Sequence, residues 1–224
     1  SDERQRKMRQ LEKREKLSIK KVKTGLRFTG EAGFLINLHS KKMENQEEKA
    51  SLCALNRIFG FEPKKAIALI SALGNASNVF RLAKNDLDDI LGPYSRYAGM
   101  IIQKSVDVAA KELETLEKQG IRFTGLTEEE YPSLLKECPD APIGLYIRSS
   151  TPASDLFSAK RKIAIIGTRD LSSYGKEWCE KTIQALADSE EKPLIVSGLA
   201  IGTDICAHKA AIEAGLPTIG VMAT

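Results

Sequence analysis

The sequence predicts an α/β fold: a Rossmann-like doubly wound parallel sheet, incomplete at the C-terminus, preceded by a small all-α domain. Three observations predict it. Residues 46–104 carry apolar side chains at helical spacing. Residues 160–222 alternate apolar runs with helical stretches in the order β-α-β-α-β. The first two strand-to-helix junctions there are built from glycine and small polar residues. Strands that alternate with helices imply parallel pairing through right-handed crossovers.

The elements follow in order. Leu52, Leu55 and Ile58 form one apolar stripe in a helix expected to start after Met43. Pro63 opens a second helix, with Ala66, Ile67, Leu69, Ile70 and Leu73 inward and Gly74 at its end. Further helices are expected over 78–82, 85–91 and from Ser95 to about Gly120. The turns Ile58-Phe59-Gly60-Phe61 and Leu91-Gly92-Pro93-Tyr94 resemble helix-hairpin-helix loops. Their second glycine is replaced by Glu62 and Tyr94, and a glutamate repels phosphate. These turns therefore read as a packing or partner module rather than a DNA grip.

Ile121-Arg122-Phe123-Thr124 reads as a strand, Tyr131 to Leu135 as a turn into a short helix, and Ala141 to Arg148 as a strand. Residues 149–159 read as a loop. Ile163-Ala164-Ile165-Ile166 reads as a parallel strand buried on both faces. The next helix is expected to bury Trp178, Ile183, Leu186 and Ala187. Leu194-Ile195-Val196, a helix over Thr203–Ala214, and Thr218 to Met222 complete the pattern. Three parallel strands alone make an unlikely finished domain, so the sheet reads as part of a larger one. The expected domains are a basic leader over 1–44, a helical domain over 45–104 and a Rossmann-like domain over 105–224. Met43 is a candidate natural initiator.

Charge is uneven. The formal net charge is +4, but residues 1–24 alone hold ten basic and four acidic side chains. Residues 151–224 hold eight basic and nine acidic, a net of −1. The leader reads as a solvated extension or as a polyelectrolyte arm for nucleic acid. In the folded part, an anion site must come from a few placed groups. Cys53, Cys138, Cys179 and Cys206 form no C-x-x-C pair, which argues against a disulfide scaffold and a zinc site. No apolar run approaches the roughly 20 residues of a membrane helix. A cytoplasmic location is the expectation, with no membrane partner.

The chemistry concentrates in two βα loops. Gly167-Thr168-Arg169 follows the first strand of the β-α-β-α-β stretch. Ser197-Gly198-Leu199-Ala200-Ile201-Gly202-Thr203-Asp204 follows the second. In open α/β sheets ligands bind beyond the carboxyl ends of the strands. Glycine lets the backbone approach closely, helix N-termini favour anions, and Arg169 adds a cationic fork suited to phosphate. No G-x-G-x-x-G follows the first strand and no G-K-[ST] occurs, so neither a dinucleotide fingerprint nor a P-loop is present. Asp204 and His208, four residues apart, share a helix face. They read either as an acid/base pair or as a helix-capping aspartate with a packed histidine. Tyr174 is a candidate stacking platform for a base, and Trp178 a candidate core residue.

These residues carry a family resemblance. Gly167-Thr168-Arg169, Ser172-Ser173-Tyr174-Gly175 and Ser197-Gly198-Leu199-Ala200-Ile201-Gly202-Thr203-Asp204-Ile205-Cys206-Ala207-His208 resemble the signature of the DNA-processing protein A (DprA/Smf) family. Upstream, Tyr131-Pro132 with Leu134-Leu135 and the Pro142/Leu145-Tyr146 stretch also fit, and the helical region is similar to the family's SAM-like domain. Thr203 departs from the aliphatic residue usual there. The family's later F-P-x-R-N-R and S-G-[ST]-x-x-T-A segments do not occur in these 224 residues.

The resemblance implies single-stranded DNA binding, loading of RecA recombinase in natural transformation, displacement of single-strand-binding protein, and a homodimer. It implies no catalytic residue, no cofactor and no metal. Arg169 is expected to grip a phosphate, with Gly167, Thr168, Ser197, Gly198 and Gly202 supplying backbone or hydroxyl donors. Ser172, Tyr174, Gly175, Leu199, Ala200 and Asp204 complete the expected DNA- or phosphate-binding set. The alternative is a nucleotide phosphoribohydrolase of the lysine-decarboxylase-like Rossmann group, which also uses glycine-rich Ser-Gly loops.

Overall fold

A computed structural model describes residues 31–222 of the chain, with side-chain surroundings described from Lys41 onward. The basic stretch Arg4–Lys23 lies outside the described residues. Two compact units are present, one ending at Ser149 and the other beginning at Ser150.

The first unit is organised around α1 (Glu31–Ile58). This helix runs unbroken through Met43, so the expected start after that residue is corrected. Ala50 to Leu55 are buried in succession, followed by Ile58 and Phe59. A segment apolar on nearly every side is the interior helix of a bundle rather than a surface one. Around it lie α2 (Pro63–Leu73), α3 (Ala76–Phe80), α4 (Lys84–Leu91), a 3-10 turn (Ala98–Met100) and α5 (Gln103–Lys118). Pro63 sits in the first turn of α2, where a missing N–H costs nothing, and the helix ends at Gly74. The helix expected from Ser95 is therefore two pieces. Polar stitches hold α3 to α1: Glu48 accepts from the backbone N–H groups of Ala76 and Ser77 at 2.7 and 2.9 Å.

The same unit contains an antiparallel hairpin, β1 (Ile121–Gly125) and β2 (Gly144–Arg148), in register Ile121↔Arg148. Between its strands lies α6 (Ser133–Lys136). Phe123, Ala141 and Ile143 join the helical core. The Asn56 side chain accepts from the Gly144 N–H at 3.1 Å, tying β2 to α1. Residues 105–148 thus pack with the helices, whereas the sequence grouped them with the parallel sheet. One apolar face on a two-stranded ribbon needs a cover, and α1 supplies it.

The second unit opens with a helical segment the sequence read as loop, α7 (Ala153–Phe157). Three parallel strands follow in the order β3 (Lys162–Ala164), β4 (Leu194–Ser197), β5 (Thr218–Gly220). Ile163 pairs with Ile195, and Val196 with Ile219. The crossovers are α8 (Ser173–Ala187) and α9 (Thr203–Glu213). This is the Rossmann-like arrangement expected. A strand order that never reverses, with right-handed crossovers, puts both helices on one face. Ile183, Ile195, Ala207, Ala211 and Leu216 form the core there, the alanines letting α9 sit close to the sheet.

Two expectations are corrected in this unit. Ile163 and Ile165 pack against the helices, but Ala164 and Ile166 face away and Ile166 is 81% exposed. The apolar run is thus covered on one face among the described residues. Trp178 is 54% exposed rather than core.

Candidate functional site

The two βα loops meet. The Thr203 backbone N–H and its hydroxyl both donate to the Thr168 carbonyl, at 3.0 and 3.1 Å. Two glycines permit this closeness. A Cβ on Gly202 would sit 2.4 Å from the Thr168 oxygen, and its φ of +88° disfavours any side chain. A Cβ on Gly167 would sit 2.5 Å from the Thr203 hydroxyl oxygen. The loop after β3 is therefore clamped onto the N-terminus of α9, where helical N–H groups lack intrahelical acceptors.

Hydrogen bonds fix the rest of the cradle. The Ser197 hydroxyl, 3% exposed as a residue, donates to the Ile165 carbonyl at 2.6 Å. His208 bridges the Gly198 carbonyl through Nε2 and the Thr218 hydroxyl through Nδ1, each at 2.7 Å. A carbonyl only accepts, so Nε2 carries a proton. Asp204 takes the Ala200 N–H at 3.4 Å. Asp204 and His208 thus bind different groups: Asp204, in the first turn of α9, accepts from the loop before the helix, and His208 is packed between Gly198 and Thr218. The Thr168 hydroxyl accepts from the Asp170 N–H at 3.1 Å.

The candidate residues now separate into two groups. Gly167, Ser197, Gly198, Ala200, Gly202 and Asp204 build the loops. The Ser197 hydroxyl proton is committed to the Ile165 carbonyl, and the Asp204 carboxylate accepts from its own loop at Ala200. Ser172 and Gly175 also satisfy each other, the Ser172 side chain capping α8 by accepting from the Gly175 N–H at 3.1 Å. Thr168, Arg169, Tyr174 and Leu199 are exposed at the surface. Among the described residues the Arg169 side chain makes no hydrogen bond or ion pair. A guanidinium without a partner, beside a helix N-terminus, is a ready receptor for an oxyanion.

Other chemistry is weakly provided. Burial, with Cys206 alongside, pushes the Cys179 thiol up to about 11, so it stays protonated and unreactive at neutral pH. Among the described residues no group of three His, Cys, Asp or Glu could hold a metal ion. Nor is any described helix long and apolar enough to cross a membrane.

The first unit holds one feature the sequence read only in parts. The two hairpin-like turns converge on an open cleft lined by Glu62, Lys65 and Leu91 to Tyr97. Glu62 accepts from the Tyr97 hydroxyl at 2.5 Å and pairs with Arg96 at 3.2 Å. Hydrogen bonds from Lys65 and Tyr97 hold its carboxyl below the usual range. The cleft's carboxylate is thus neutralised internally.

Residues 122–224 match the family model described as DNA recombination-mediator protein A. The DNA processing protein DprA of Bacillus subtilis is 36% identical over 111 residues, covering 50% of this chain and 36% of that protein. The DNA processing protein DprA of Streptococcus pneumoniae is 39% identical over 143 residues, covering 64% of this chain and 47% of that protein. The X-ray structure of DNA processing protein A from Streptococcus pneumoniae aligns with a TM-score of 0.53 and 25% identity, covering 79% of this chain and 55% of that one. The chain spans less than half the length of these curated relatives.

Proposed function

Because the chain belongs to the DNA recombination-mediator protein A (DprA/Smf) family, we propose that it binds single-stranded DNA at the cradle around Thr168 and Arg169. In this reading Arg169 grips a backbone phosphate. The clamp between Thr168 and Thr203 holds the two loops at fixed spacing, and the His208 bridge ties the second loop to β5. The chain acts in the cytoplasm as a non-enzymatic mediator that delivers the strand to RecA recombinase and displaces single-strand-binding protein. It pairs with a second copy of itself.

The observation that carries the proposal is the exposed Arg169, unpartnered among the described residues, beside a clamped helix N-terminus. A net charge of −1 over residues 151–224 gives no broad attraction for DNA. Binding then depends on this local cradle, because phosphate contacts dominate non-specific affinity. The relatives in Bacillus subtilis and Streptococcus pneumoniae are DNA processing proteins, which fits the same ligand.

The experiment is a titration of labelled oligo(dT) with the chain at low salt, with nucleoside monophosphate incubated in parallel. Saturable DNA binding without release of free base supports the reading. Release of base places the chain among the phosphoribohydrolases instead.

A further inference from the structure

We propose that Tyr174 and Trp178 form a stacking platform for unpaired bases, extending the DNA path from the cradle along α8. The inference rests on the cradle reading above.

The two side chains lie four residues apart on the same helix face. They are 70% and 54% exposed, with ring centroids 6.1 Å apart and planes at 67°. An indole left half in water forgoes much of the stabilisation its burial would give. The platform starts two residues after the Ser172 cap and five after Arg169. It therefore begins where a strand held by Arg169 would emerge.

The surroundings decide which ligand fits. Charges on this helix are paired internally: Lys181 with Glu177 at 2.6 Å and Lys176 with Glu180 at 3.6 Å. The Lys181 ammonium also lies 5.9 Å from the Trp178 ring centre. The face is thus electrically balanced and cannot hold a phosphate backbone by charge. It also lacks the contiguous aliphatic core of a protein interface, since the other exposed α8 residues are polar apart from Ala185. What remains is two π-surfaces ringed by ion pairs. A nucleobase offers a flat π-face whatever its identity, which is what such a platform accepts.

The chain has a single tryptophan, so its own emission reports on this site. The experiment titrates oligo(dT) while following label anisotropy and tryptophan emission together. The expected result is quenching that tracks the anisotropy curve. Trp178→Phe keeps most of the affinity. Trp178→Ala weakens binding roughly five- to hundredfold without changing the salt slope. An abasic oligomer binds the wild type and Trp178→Ala equally. Anisotropy change with unaltered emission and an unaffected Trp178→Ala overturns the platform and leaves the cradle standing. Emission that shifts with protein concentration before DNA is added assigns this face to a second copy and also overturns it. No anisotropy change at all overturns both.

Discussion

Thr203 donates twice to the carbonyl of Thr168, through its N–H at 3.0 Å and its hydroxyl at 3.1 Å. Thr203 is therefore where this chain fastens its two loops together. Thr203→Val removes one of the two bonds and should cost about 0.5–1.5 kcal/mol in urea unfolding of the second unit. Gly202→Ala meets both a strained φ and the Thr168 and Arg169 carbonyl oxygens. It should lower the melting temperature more than Thr203→Val and weaken oligo(dT) binding at least tenfold. Equal stability of the two variants would mean the loops are not clamped as described.

His208 joins the turn after β4 to β5 through two hydrogen bonds of 2.7 Å. His208→Ala leaves the half-buried Gly198 carbonyl and Thr218 hydroxyl unpaired. The expected cost is about 1–3 kcal/mol, read from denaturant midpoints. His208→Gln, which keeps a donor, should recover part of it. A His208→Ala protein as stable as the wild type would contradict this bridge.

The first unit should weaken at alkaline pH. Burial pushes the Tyr131 phenol up to about 12, and its hydroxyl donates to the Pro142 carbonyl at 2.8 Å. The unfolded chain gives up that proton near pH 10. The folded unit keeps it, so this stability is fully present below about pH 10 and is lost as pH rises through about 12. Thermal melts at pH 9 and 11 should show the fall. Tyr131→Phe should reduce it, the remainder coming from Tyr146 and Cys53, whose hydroxyl and thiol burial also pushes up.

Local signals carried much of this fold. Pro63 and Gly74 bracket α2 because each suits its end of a helix, and the β-α-β-α-β alternation shows in the apolar runs at 163–166 and 194–196. Long-range packing was not legible. Trp178 lies five residues before the buried Ile183, about 140° around a helix of 3.6 residues per turn, so the two cannot share a face. Ile166 extends an apolar run, yet a sheet whose helices cover one face leaves it outside. Glu48 and Tyr97 find partners 28 and 35 residues away, which no local pattern encodes. At the cradle, residue types located the loops. They did not show that the Ser197 hydroxyl would turn to Ile165 while Arg169 stayed without a partner among the described residues.

The most direct test of the central claim is the salt dependence of oligo(dT) affinity for the wild type and for Arg169→Ala. Each phosphate contact contributes a log–log slope of about −0.7 on single strands. Arg169→Ala should bind more weakly at low salt, with a slope shallower by roughly that amount. Equal affinity and equal slope for the two proteins would contradict it.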